Sequence, residues 1–89
     1  MKVSVDISLY PLNDQYCEPI LDFIQRLESH DTIRMERNTL STQVFGEFQD
    51  VMAALNQEME ASLVELPHSI FVIKLIGVDR QKSDAKRCE

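Results

Sequence analysis

Three observations predict an α+β fold: an opening segment that alternates apolar and polar residues, two segments with helical spacing, and a late run of β-branched residues. The chain has 89 residues with 44% hydrophobic and 27% charged, the proportions of one ordinary globular domain. A core of that size is modest, so assembly into a homo-oligomer is expected.

Residues 2 to 9 place Val3, Val5, Ile7 and Leu9 on one side and Lys2, Ser4, Asp6 and Ser8 on the other, the period of a half-buried strand. Pro11 ends it. Cys17, Ile20, Leu21, Ile24 and Leu27 then recur at three- and four-residue intervals and predict a helix over about 15 to 29. Asp14 is a candidate cap and Pro19 lies near the first turn.

Within "TIRMERN", Ile33 and Met35 alternate with Arg34 and Glu36, and "STQVFGEF" is a second β-rich run. Together they predict a hairpin turning near Asn38 to Leu40. Beyond Gly46, the apolar stripe of Phe48, Val51, Met52, Leu55 and Met59 predicts a helix over about 47 to 62. After Pro67, "SIFVIKLIGV" reads as a strand apolar on both sides, Phe71, Ile73 and Leu75 alternating with Ile70, Val72 and Ile76. The domain is expected to cover 1–79, with 80–89 a polar, mobile tail.

The order β-α-β-β-α-β defines the ferredoxin-like arrangement, a four-stranded antiparallel sheet with both helices on one face. Its usual strand order, 4-1-3-2, gathers Ser8, Tyr10, Asn38, Thr39, Ser41, Thr42 and His68 at one end of the sheet. The other sheet face has no helix to cover it, and its apolar residues call for a second sheet or a ligand. The parity of the third strand leaves Phe45 pointing either to that face or to the helices. Asp6, mid-strand on the open face, is expected either at a solvated rim or paired with a neighbour or ligand.

A net charge of −6 with nine Lys and Arg excludes the broad basic field on which nucleic-acid affinity depends. No apolar run approaches the ~20 residues that span a bilayer, and the alternating N-terminus lacks a signal-peptide block, so a cytoplasmic location is expected. Cys17 and Cys88 have neither metal-ligand spacing nor a need to pair. With two glycines in all, no phosphate loop is present. The acidic residues Glu47, Asp50, Glu58, Glu60 and Glu65 read mostly as a solvated helix face, not a metal cluster. His68 is the sole histidine near the polar end, too little for a nucleophilic constellation. No catalytic residue, metal site or cofactor is expected.

The segments "VSVDISLYPL", "ERNTLSTQVFGEFQDVMAAL" and "SIFVIKLIGVD" resemble the YkoF-like family of thiamine and hydroxymethylpyrimidine binding proteins, over about residues 1 to 79. The resemblance implies a ferredoxin-like fold without catalytic activity, binding of thiamine or its pyrimidine moiety, a role in vitamin uptake or salvage, and assembly as a homodimer or homotetramer through the sheets. A flat ring with a donor and acceptor edge suits hydroxyl and amide groups at strand ends. The expected ligand-binding residues are Ser8, Tyr10, Asn38, Thr39, Ser41 and Thr42, with Asp6 as a charged outlier; an aromatic face or a carboxylate such as Asp6 or Glu36 suits the positive thiazolium. The competing expectation is a structural or regulatory interaction module that assembles through the open sheet face.

Overall fold

The computed structural model describes residues 1–81. It contains β1 (Lys2–Tyr10), α1 (Cys17–Glu28), β2 (Arg34–Arg37), β3 (Thr42–Glu47), α2 (Phe48–Glu65) and β4 (Ile70–Ile76). The sheet order is β2-β3-β1-β4 with every neighbouring pair antiparallel, the ferredoxin-like α+β topology expected from the sequence. The expected tail lies outside the described residues from position 82 onward, as does Cys88.

Alternation along β1 sets the two faces. Val3, Val5, Ile7 and Leu9 point to the helices and are buried. They meet Phe23 and Leu27 of α1, Val44 of β3, and Val51, Ala54 and Leu55 of α2 in one core. Each such side chain withdrawn from water favours the folded state by about 1.5–3 kcal/mol at most.

Both helices bury a face offset slightly from the expected stripe. In α1 the core side is Ile20, Phe23, Ile24 and Leu27, whereas Leu21 and Cys17 are exposed. Phe23 replaces Leu21 because the spacing 20, 23, 24, 27 keeps one face, while position 21 lies about 100° round from position 20. Phe23 also meets Phe71 of β4, ring centroids 5.0 Å apart. The buried row of α2 is Val51, Ala54, Leu55, Glu58 and Ser62, with Phe48, Met52 and Met59 packed at its margins.

Asp14 does not cap α1. Tyr16 occupies the cap position without a side-chain bond, and the preceding turn is held by Asn13, whose Oδ1 accepts the Gln15 N–H at 2.8 Å. At the start of α2 the Phe48 N–H donates to the Met1 carbonyl at 2.8 Å. Gly46, at φ +156°, gives β3 a backbone conformation that L side chains rarely adopt just before α2 begins.

Register fixes the open face as well. Ser4 pairs with Phe45 and Ile76, and Asp6 pairs with Gln43 and Lys74, so Phe45 lies on the open face. It is nevertheless 4% exposed, on the face that the chain recrosses after β4. There the Ser4 hydroxyl donates to the Val78 carbonyl at 2.7 Å and accepts the Arg80 N–H at 2.8 Å. Arg34 of β2 donates to Asp79 and to Gln81, each at 2.6 Å. On this face of β4, Ile70, Val72 and Ile76 remain about half exposed.

Candidate functional site

Strand β1 ends beside the β2–β3 loop, and the chain then turns into α1, so three segments enclose the end of the sheet. Between them lies a hollow of about 420 Å³. Ser8, Tyr10, Asn38, Thr39, Ser41 and Thr42 line it, together with Leu12, Tyr16, Ile20, Phe23 and Leu40. Six of the seven binding residues expected from the sequence therefore meet around one space.

Their roles differ. The Asn38 Oδ1 accepts the Leu40 and Ser41 N–H groups at 2.8 and 3.1 Å, and the Asn38 N–H donates to the Ser41 carbonyl at 3.0 Å. Its carbonyl oxygen thus folds the loop, leaving the amide NH₂ as the group with donor capacity to spare. Thr42, also lining the hollow, is buried at 5% exposure. Tyr10 and Tyr16 are both more than half exposed, which leaves their rings accessible to a flat ligand.

Asp6 does not line this hollow. It sits on the open face and is joined to it through Ser41, whose hydroxyl donates to Asp6 Oδ1 at 2.6 Å. The Gln43 amide donates to the same oxygen at 2.7 Å and to the Ser41 hydroxyl at 2.9 Å. The Ser41 hydrogen bond is the main influence holding the Asp6 carboxyl below the ordinary value; burial opposes it, and Gln43 and Lys74 reinforce it. Asp6 is thereby satisfied within the sheet, and it orients the Ser41 hydroxyl so that a lone pair remains for a ligand donor.

His68 lies in the turn preceding β4 and is not among the residues around the hollow. Among the described residues no group of three His, Cys, Asp or Glu side chains could hold a metal ion, and no helix is long and apolar enough to cross a membrane.

The part of the lining contributed by Tyr16 and Phe23 was missed in the sequence. Phe23 was legible as the i+3 neighbour of Ile20; Tyr16 was not, because an exposed aromatic in a connecting segment carries no periodic signal.

A family model described as the YKOF-related family matches residues 2–76. No curated protein sequence matches the chain. Among solved structures, a candidate thiamine biosynthesis/salvage protein from Thermotoga maritima superposes with a TM-score of 0.75 at 21% identity, covering 84% of this chain and 82% of its own. A hypothetical protein from Methanocaldococcus jannascii gives 0.75 at 17% identity, over 91% and 84% of the two chains. A Streptococcus pneumoniae protein gives 0.72 at 20% identity, over 94% of each. At these identities the likeness is one of fold.

Proposed function

The chain belongs to the YKOF-related family, and we propose that it is a non-catalytic binding protein for thiamine or its hydroxymethylpyrimidine moiety, held in the strand-end hollow. The observation that carries this reading is that one hollow is lined both by aromatic and aliphatic side chains and by hydroxyl and amide groups. An aminopyrimidine offers matching surfaces, a flat face for Tyr10 or Tyr16 and a donor and acceptor edge for Thr39, Ser41 and the Asn38 NH₂. The Thermotoga neighbour's association with thiamine biosynthesis or salvage supports the same ligand class. A role in vitamin uptake or salvage in the cytoplasm follows from the same reading.

Calorimetric titration with thiamine and with hydroxymethylpyrimidine tests it, using Thr39→Ala and Tyr16→Ala as controls because both side chains are exposed and outside the core. Saturable binding weakened in both variants supports the assignment. Absence of binding by the folded protein removes it.

A second reading is favoured by the exposed apolar side chains Ile70, Val72 and Ile76, which share the open face at β4. In it the protein is an interaction module that forms a homodimer or homotetramer through this face, with or without a ligand at the strand ends.

A further inference from the structure

A free hydroxyl can donate or accept, so it reads a ligand edge of either polarity. Ser41, at the strand-end hollow, has lost that freedom. Its hydroxyl donates to Asp6 Oδ1 at 2.6 Å, and its oxygen accepts an N–H from the Gln43 amide at 2.9 Å. Gln43 also donates to the same Asp6 oxygen at 2.7 Å. An ionised carboxylate only accepts, and Asp6 is held below the ordinary carboxyl value, chiefly by the Ser41 hydroxyl. Both neighbours must therefore turn a hydrogen towards it at neutral pH. For any further partner the Ser41 hydroxyl keeps one lone pair and no hydrogen. Neither Asp6 nor Gln43 is among the residues around the hollow.

The same loop fixes the opposite sense at Asn38. Its Oδ1 is taken by the Leu40 and Ser41 N–H groups, and the spare group is the NH₂, a donor only. One acceptor and one donor of set polarity thus belong to the lining. A ring amine beside an unprotonated ring nitrogen presents the complementary pair. A ring carbonyl beside an N–H presents the reverse order, and its oxygen would face the Ser41 lone pair with no hydrogen between them.

On the reading that thiamine or its pyrimidine occupies this hollow, we propose that Ser41 determines specificity. It accepts from the exocyclic amine of a 4-aminopyrimidine and rejects the 4-oxo counterpart. Asp6 is a positioning residue that withholds the Ser41 hydrogen from the ligand. Because it acts through Ser41, the open sheet face need not be accessible to any ligand.

Calorimetric titration of the full chain with thiamine and with oxythiamine, in which a carbonyl replaces the 4-amine, tests this. Both compounds carry the thiazolium, so its charge cancels in the ratio of their affinities. The parent should bind thiamine about tenfold or more tightly, since the mismatch leaves two acceptors unpaired. Asp6→Ala frees the Ser41 hydroxyl to turn and donate, and should bring the two affinities close to equal. Ser41→Ala removes the acceptor and should also collapse the ratio; it decides the matter should Asp6→Ala fail to fold. Equal affinities in the parent, or a preference for oxythiamine, overturn this inference and leave the thiamine assignment standing. A ratio unchanged in Ser41→Ala overturns it as well, and one unchanged in folded Asp6→Ala overturns the positioning role. Absence of binding by both compounds removes the inference together with the ligand assignment.

Discussion

His30 Nε2 stands 2.7 Å from Glu58 Oε2, joining the end of α1 to the middle of α2. Arg26 takes the other carboxylate oxygen at 2.9 Å, reaches the Glu58 carbonyl at 3.0 Å and the Ser62 hydroxyl at 2.6 Å, and pairs with Asp22 at 3.2 Å. Glu58 is 5% exposed, so one member of the acidic stretch read as solvated is the polar centre of the helix–helix contact. Burial alone would raise its pKa, yet hydrogen bonds and charge from His30 and Arg26 outweigh it and hold the carboxyl below its ordinary value.

Glu58→Ala should therefore destabilise the fold by about 3 kcal/mol at pH 7, because it leaves Arg26 without its buried partner. The folded pKa is depressed, so this contribution is fully present above the unfolded value, about 4.3, and is lost as pH falls through the folded pKa. Urea denaturation at pH 7 and near pH 3 checks it: the gap between variant and parent should narrow in acid.

Ser41→Ala should raise the Asp6 pKa, since the Ser41 hydroxyl is its largest stabilising partner. Carboxyl-carbon NMR titration measures this directly. Part of the stability that ionised Asp6 gives above its unfolded pKa should disappear with the hydroxyl.

Besides the Arg34 contacts to Asp79 and Gln81, the 77–81 crossing is held to β1 by the Ser4 hydroxyl. Ser4→Ala deprives the Val78 carbonyl and the Arg80 N–H of a partner at once. It should cost about 1–2 kcal/mol and abolish hydrogen-exchange protection of the Arg80 amide, while amides in the middle of β1 keep theirs.

Val72→Asp tests assembly through the sheet. Val72 pairs with Ser8 on the open face and is 47% exposed, so aspartate there should leave the subunit folded. If the interaction-module reading holds, sedimentation velocity should show the parent as a dimer or tetramer and the variant as a monomer; an unchanged oligomer would exclude this part of the face.

Loop rigidity offers a further check on the strand-end site. Because Asn38 Oδ1 holds two loop N–H groups, Asn38→Ala should weaken thiamine binding roughly tenfold or more, equivalent to about 1.4 kcal/mol. Asn38→Asp keeps the acceptor oxygen and should restore loop order, seen in the Leu40 and Ser41 amide exchange rates. Affinity recovering with loop order would assign Asn38 a positioning role; affinity staying low would assign the lost NH₂ to the ligand.

The sequence by itself determined the order and type of the six elements, because strand and helix periods are local and Val3 to Leu9 alternate without interruption. It also determined which strand-end groups meet, since the topology brings Ser8, Tyr10 and the 38–42 loop to one end whatever the details of packing. Register decided the rest. Pairing Ser4 with Phe45 sent Phe45 to the open face, and pairing Asp6 with Gln43 gave that carboxylate partners within the sheet, facts that depend on a two-residue periodicity across strands far apart in the chain. The burial of Glu58 likewise needed α1 to bring Arg26 and His30 alongside α2. A charge is solvated or buried according to its distant neighbours, and only the tertiary structure supplies them.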